Sequence, residues 1–288
     1  MPDPHWTPFP TPDPAFDFSG DRLREAWPRL HAGDREPFPD RASIAELIAA
    51  EARLGDTSFG TDADRIAAEL QGAWRAFHRG EFREAFERGL AVGPLGEGVA
   101  VTADGVQAFF LEDKQAEKIS RYQSLVDRAG DALDLLPLRA ASHYRYAWAL
   151  GLLSRHLPAM QVLADGLGSK LHAALDAALE LDLDHPEAHT ALGLYFAEAV
   201  HKLGGVLAKV ALRVDPSAAE AHLRTAIKLT PEAPNAWVGL GIGLGLLDPQ
   251  ANAMQRKDAL ARAASMHPLD ARQALEIAYA KRKLSAAE

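Results

Sequence analysis

The chain has 288 residues, of which 48% are hydrophobic and 25% are charged, as in an ordinary folded globular protein. It contains no Cys, which excludes disulfides, thiolate metal sites, iron–sulfur clusters and cysteine nucleophiles. Its 31 Lys and Arg residues stand against 40 Asp and Glu, giving a net charge of −9. That balance argues against a nucleic-acid partner, because binding a phosphate backbone needs clustered positive charge.

The first residues show no targeting signal. Residues 1–20 have no basic start followed by an apolar run, so we expect no secretory signal and a cytoplasmic location. The longest apolar stretches, such as residues 238–247, are well short of the ~20 residues that span a bilayer. We therefore expect no membrane insertion.

Residues 1–42 are predicted to form a proline- and aromatic-rich extended arm. Nine of the 18 prolines lie in the first 40 residues, and proline interrupts helices. The same segment carries six Trp and Phe residues, whereas disordered tails are poor in aromatics. We expect Trp27 and Phe38 to pack near Trp74 and Phe77 and to cap the body of the protein. The alternative is that the arm occupies a groove and competes with a ligand.

Residues 43–288 are predicted to form a single all-α domain of antiparallel helix pairs. Ser43, with Glu46 three residues later, indicates a capped helix start, and Gly55 indicates where that helix ends. Residues 62–79 then place apolar side chains three or four positions apart, which is typical of an amphipathic helix. The rest of the chain continues as helix, short turn and helix.

Three segments that end in Leu-Gly recur along this domain. They occupy residues 146–151, 189–193 and 237–241, and their last glycines are 42 and then 48 residues apart. Self-similarity at such a period is typical of a helical array, in which each helix pair buries its apolar face against the next pair.

The residues around the last of these segments resemble the tetratricopeptide repeat. The match comprises Ala219, Leu223, Ala226 and Pro231, followed by Trp237, Leu240 and Gly241. Residues 80–85 resemble the turn and second-helix start of the same repeat, and residues 175–189 resemble another copy, with Leu183 where Pro is usual. The resemblance implies an α-solenoid of stacked helix pairs that binds a protein or peptide, with Trp237, Leu240 and Ala226 in its core.

The repeats are longer than the usual ~34 residues. Ala219 follows Gly193 by 26 residues, with Lys202, Lys209 and an Asp-Pro-Ser-Ala-Ala segment between them. This pattern is similar to the divergent repeats of the regulator of microtubule dynamics family and to proteobacterial repeat proteins of unknown function. The similarity implies a curved or closed helical scaffold and no enzymatic chemistry.

Two histidine patterns resemble metal-binding motifs, but neither meets the requirements of the motif that it resembles. His185 and His189 flank a carboxylate, but Pro186 leaves His185 outside the helix, where it is expected to cap the helix start. Glu198 and His201 have the spacing of di-iron bundles, yet the sequence has no second Glu-x-x-His. We predict no metal, no cofactor and no catalytic residue.

The glycines of residues 239–245 match no nucleotide-binding loop. No strand precedes them, and they do not follow the Gly-x-Gly-x-x-Gly or Gly-Lys-Ser/Thr patterns. Each glycine inside a helix costs roughly 1 kcal/mol relative to Ala, so we expect close helix packing as compensation.

The resemblance places the binding site on the concave face, formed by the first helix of each pair. The groove positions carried over are Arg145, Trp148, Leu152, Arg155, His156, Glu187, Thr190, Glu198, Asn235, Val238 and Ile242. The predicted function is a non-enzymatic scaffold that binds a protein or peptide there. The alternatives are a helical protein that encloses a small apolar ligand in the channel of the array, and an array that closes and buries these positions. An acidic lining of the groove would favour a basic peptide as the partner. An apolar lining of the channel would favour the small ligand.

Overall fold

The protein is α-helical throughout the part that the structure describes. A computed structural model describes residues 5–212, 214 and 216–286. Of the described residues 75% are helical, and they form fifteen α-helices packed against each other, with no strand. The predicted all-α class is therefore confirmed.

The helices in the first half are α1 (Arg22–Leu30), α2 (Arg41–Ala50), α3 (Ala63–Arg79), α4 (Phe82–Val92), α5 (Glu97–Val106), α6 (Gln115–Leu135) and α7 (Ala140–Ser154). Those in the second half are α8 (Ala159–Ala164), α9 (Leu167–Leu181), α10 (Pro186–Leu203), α11 (Gly205–Leu212), α12 (Pro216–Leu229), α13 (Pro234–Leu247), α14 (Ala253–Ala264) and α15 (Ala271–Ser285). A π-helical turn, Gln107–Leu111, continues α5.

The N-terminal arm is only partly extended, and it packs into the core. Helix α1 lies within it, with Pro28 inside the helix. The Trp27 ring meets the Trp74 ring edge to face at 5.7 Å and the Phe38 ring at 5.0 Å. Three of the arm's other aromatic side chains, Phe9, Phe16 and Phe18, are also buried. The arm therefore covers α3, as its aromatic content predicted.

Helix α2 begins earlier than Ser43. Asp40 is its N-cap, and the Asp40 carboxylate accepts a hydrogen bond from Ser43 N at 3.0 Å, while Ser43 Oγ accepts from Asp40 N at 3.2 Å. Ser43 thus occupies the third helical position of a capping box rather than the cap itself. The helix ends at Ala50, and a 3-10 turn, Ala52–Gly55, follows it.

Six helices contact each other in a closed cycle: α3 with α5, α5 with α7, α7 with α10, α10 with α13, α13 with α15, and α15 with α3. Helices α4, α6, α9, α12 and α14 pack against members of this cycle. The last contact joins distant parts of the chain, because His78 Nδ1 lies 2.7 Å from Asp270 Oδ2. Ala271 and Leu275 of α15 also belong to the same apolar core as α3 and the arm.

The predicted core positions differ in burial. Leu240 and Ala226 are buried, but Trp237 is only half-buried. Trp237 lies in the first turn of α13, where its Nε1 donates to Pro231 O at 2.9 Å. Trp237 packs against two apolar clusters of the core, so it lies at the edge of the core rather than in its interior.

The glycines of α13 lie against neighbouring helices on two faces. A Cβ at position 239 would come within 2.6 Å of Thr190 Cγ2, and one at position 241 would come within 2.8 Å of Leu260 Cγ. The close packing predicted for this glycine-rich helix is therefore present. Among the described residues, no helix combines the length and apolarity needed to cross a membrane.

Candidate functional site

A cavity of about 220 Å³ lies inside the cycle of helices. Its wall comes from the end of α5, from α7 to α10, and from α13 and α15. Each of the longer helices contributes side chains three or four positions apart, so a single face of each helix is turned inward. On α7, for example, these include Tyr144, Trp148, Leu152 and Arg155.

Aromatic rings form one wall of the cavity. Phe109 and Phe110, from the π-helical turn, lie 5.5 and 6.1 Å from the Tyr279 ring of α15. Trp148 of α7 also lines the cavity and lies directly against Gly105 of α5, where a Cβ would overlap its ring. This wall therefore depends on α5, α7 and α15 meeting at the centre of the molecule.

A buried ionic cluster forms the polar end of the cavity. Arg272 Nη2 donates to Glu187 Oε1 at 2.6 Å, and Arg272 Nε donates to Glu276 Oε1 at 2.9 Å. Burial raises the pKa of Glu276 to about 7, and the neighbouring Glu187 and Asp270 carboxylates add to the shift, while Arg272 opposes it. Burial also raises the pKa of the Tyr144 hydroxyl, which lines the same part of the wall.

Residues 31–36 of the arm pack against the helices that carry the polar end. Glu187 N, in the first turn of α10, donates to Gly33 O at 3.1 Å. Gly33 lies so close to Glu187 that a Cβ would come within 2.8 Å of Glu187 Oε1. Arg35 adopts a left-handed φ of 54° and donates to Asp184 O at 3.1 Å. Glu36 forms a buried ion pair with Arg145 of α7.

Four buried side chains link this segment of the arm to the ring of helices. His31 Nδ1 lies 2.9 Å from Asp34 Oδ1, His31 Nε2 lies 3.3 Å from His78 Nε2, and His78 Nδ1 lies 2.7 Å from Asp270 Oδ2. Burial lowers the pKa of His78, while its hydrogen bond to Asp270 opposes this effect.

Most of the groove positions inferred from the sequence come together around this cavity. Those that line it are Trp148, Leu152, Arg155, Glu187, Thr190, Glu198, Asn235, Val238 and Ile242. Glu187 lies at the polar end, while Arg155 forms a partly exposed ion pair with Glu198 at 2.6 Å.

The other two inferred positions lie outside the cavity. Arg145 is buried behind the wall in its ion pair with Glu36. The His156 ring lies beside the Tyr122 ring of α6, with centroids 5.3 Å apart, and its Nδ1 hydrogen-bonds the Gln115 side chain of the same helix. Arg145 therefore joins α7 to the arm, whereas His156 joins the end of α7 to α6.

The sequence reasoning missed the contributions of α5 and α15. Phe109, Phe110, Arg272, Glu276 and Tyr279 all line the cavity, but none belongs to a segment that ends in Leu-Gly. The available signals were the adjacent Phe pair and the Arg-x-x-x-Glu spacing of one helix face. These signals do not say that the two ends of the chain meet.

The two histidines of the 185–189 segment make structural contacts. His185 caps α10, where its Nδ1 accepts from Ala188 N at 3.1 Å. His189 Nε2 lies 3.0 Å from Leu183 O, and His189 Nδ1 lies 2.8 Å from His222 Nδ1. The described residues include no group of three or more His, Cys, Asp or Glu side chains placed to hold a metal ion.

An apolar pocket with a few polar groups at one end is the usual arrangement of a small-molecule site. A comparison with protein-family models and with curated proteins finds no match. The chemistry available in this cavity is burial of an apolar body against aromatic and aliphatic walls, with the Arg272 cluster and the Tyr144 hydroxyl in one part of the wall and the Arg155–Glu198 ion pair in its partly exposed part.

Proposed function

We propose that this protein is a non-enzymatic, helical binding protein that encloses a small, mainly apolar ligand in its central cavity. The observation that carries the proposal is the cavity of about 220 Å³ inside the cycle of helices, with Trp148, Phe109 and Tyr279 in its wall. A dry cavity of roughly 150 Å³ holds benzene, so this one has room for on the order of ten non-hydrogen atoms.

We further propose that the scaffold is a tetratricopeptide-like α-solenoid in which α3 and α15, the first and last helices of the cycle, touch. The inward helices α7, α10 and α13 carry the three Leu-Gly segments, and α9, α12 and α14 pack against them as second helices. The contact of α15 with α3 brings the two ends of the array together, so the cavity lies within a cycle of helices rather than along an open face. A cavity of this kind suits a small ligand better than a long peptide.

The proposal is tested by calorimetric titration with indole, a soluble apolar bicycle of the right size. Binding is expected at one site per chain with a negative heat-capacity change, which is the signature of apolar burial. Ala191→Phe adds a ring to the cavity wall and should weaken binding roughly tenfold or more, since it removes apolar contact area.

The matched control is Met254→Phe, because Met254 is 75% exposed on α14 and does not line the cavity. This variant should bind indole like the wild type. Absence of indole binding by the wild type, or equal binding by Ala191→Phe, would contradict the proposal.

A peptide is the second candidate ligand, favoured by one observation. The Arg155–Glu198 ion pair lines the cavity and is partly exposed, at 36% and 23% of the side chains. Such a pair can hold the polar backbone of a peptide whose apolar side chain enters the cavity. Competition between indole and peptides ending in Trp, lost in Arg155→Ala, would support this candidate.

A further inference from the structure

Two short helices expose an unusual share of the apolar surface. Of the nine large hydrophobic side chains that the described residues expose, five lie on α8 and α11. They are Met160 (76% exposed), Leu163 (41%), Val206 (84%), Leu207 (53%) and Val210 (76%). An exposed apolar surface of this kind commonly marks a site where a protein binds a partner or a membrane.

Helix α11 is oriented so that its apolar side faces outward. Ala208 is fully buried and belongs to the central apolar core, so it marks the side that rests on the body. At 100° per residue, Val206 and Val210 lie on the opposite side of the helix, and exposed Lys209 lies on its flank. The helix therefore lies on the surface with an apolar ridge flanked by positive charge.

The cavity reaches the surface beside α8 and beside the end of α10, which leads into α11. Leu163 of α8 lines the cavity and is also exposed, so the cavity reaches the surface there. Lys202 and Leu203, which end α10 just before α11, line the same cavity. We call the exposed side chains of this region, Met160, Leu163, Lys202, Val206, Leu207, Lys209 and Val210, the basic-apolar rim.

The charge of this region is opposite to that of the whole chain. The chain has a net charge of −9, yet residues 199–214 contain Lys202, Lys209 and Arg213 and no Asp or Glu. Residues 135–164, which include α8, also contain no Asp or Glu. An apolar ridge flanked by Lys is the composition of segments that lie in the interface of a bilayer with anionic lipids.

We propose that the basic-apolar rim docks peripherally on a membrane surface that contains anionic lipids, so that the opening of the cavity faces the bilayer. The apolar side chains enter the headgroup region, and Lys202 and Lys209 pair with lipid phosphates. This contact lies in the plane of the interface and needs no spanning helix.

The test is co-sedimentation of the full chain with phosphatidylcholine vesicles that contain or lack phosphatidylglycerol. Binding is expected only with phosphatidylglycerol, and it should weaken as ionic strength rises. The double variants Val206→Asp/Val210→Asp and Lys202→Glu/Lys209→Glu should each reduce partitioning roughly tenfold or more. The matched control is Leu138→Asp/Met254→Asp, because both side chains are equally exposed elsewhere.

A second readout locates the contact. The chain has no Cys, so Val210→Cys and Met254→Cys each accept one environment-sensitive dye. Vesicles should shift the emission of the dye at 210 to the blue and leave the dye at 254 unchanged. Each of three results would overturn the proposal: no binding to either vesicle, equal binding by the rim variants, or a blue shift at 210 that grows with protein concentration alone, which would indicate a second copy of the chain. Indole titration of the same variants measures ligand binding in the cavity, so a failure of membrane docking can be distinguished from a failure of the proposed function.

Discussion

Glu276 shows most directly what burial does to a single residue of the cavity. Burial raises the pKa of Glu276 to about 7, and Arg272 only partly offsets this effect. In the unfolded chain a Glu titrates near ~4.3, so between these values the folded protein binds the proton more tightly. Its stability therefore falls as pH rises from about 4 through about 7.

We predict that Glu276→Gln removes this pH dependence. Relative to the wild type, the unfolding free energy of the variant should rise between about pH 5 and about pH 8, by on the order of 3 kcal/mol. Urea unfolding at the two pH values measures it. The control Glu232→Gln, at an exposed position, should show no such change. If the unfolding free energies of Glu276→Gln and wild type differed by the same amount at both pH values, the pKa of Glu276 would not be raised by folding.

Individual cavity residues could be predicted from the sequence where a repeat placed them. Thr190 and Val238 line the cavity because they hold equivalent places near their Leu-Gly segments. Glu276 and Tyr279 could not be predicted in this way, since their role depends on α15 meeting the π-helical turn that follows α5. That contact joins parts of the chain far apart in sequence, and no local pattern encodes it.

Helix α13 shows how an element can depend on glycine. Leu223 of α12 is fully buried between two glycines: a Cβ at position 193 would come within 2.6 Å of its Cγ, and one at position 243 would overlap its Cδ1. Leu223 cannot move away from both at once. At position 245 the neighbour is instead the flexible side chain of Arg256, at 3.2 Å.

We predict opposite effects for two Gly-to-Ala changes in this helix. Gly243→Ala should lower the unfolding free energy by about 1–3 kcal/mol, because overpacking against Leu223 outweighs the helix propensity gained. Gly245→Ala should leave the unfolding free energy unchanged or raise it by up to about 1 kcal/mol, because the flexible Arg256 side chain can move away from the added methyl group. Thermal unfolding of both variants measures the contrast, and equal destabilisation would show that the packing around α13 differs from the one described.

The elements themselves were largely predictable, and their boundaries less so. The 3.6-residue period identified α3, and the turn at Gly80 separates it from α4. The start of α2 was misplaced because Asp40 and Ser43 both suit a cap and the two form one capping box. The arm was expected to be extended because of its prolines, yet α1 accommodates Pro28.

At the scale of the whole molecule, the arm and the last helix are coupled through His78. His31 contacts one side of His78 and Asp270 contacts the other, so the two ends of the chain share one buried hydrogen-bond chain. Asp270 also caps α15, accepting from Gln273 N at 2.8 Å. Loss of either partner leaves a buried imidazole nitrogen without its hydrogen bond, which typically costs about 1–3 kcal/mol.

We predict that His31→Ala and Asp270→Asn are not additive, although the two side chains do not contact each other. A double-mutant cycle measured by urea unfolding should give a coupling free energy of about 0.5–3 kcal/mol. The control cycle pairs His31→Ala with Asp248→Asn, since Asp248 caps the turn before α14 instead. Additivity of the first cycle within about 0.3 kcal/mol would show that the arm and α15 are independent.

Diffraction from crystals soaked in 4-bromoindole shows whether a ligand occupies the cavity between Trp148, Ile242 and Tyr279. The bromine scatters anomalously, so its position can be found without assuming where the ligand binds. We predict one strong anomalous peak inside the cavity, absent from crystals of Ala191→Phe. Side chains of the lining residues filling the cavity, or bromine bound only at the outer surface of the protein, would contradict the proposed binding of a ligand in the cavity.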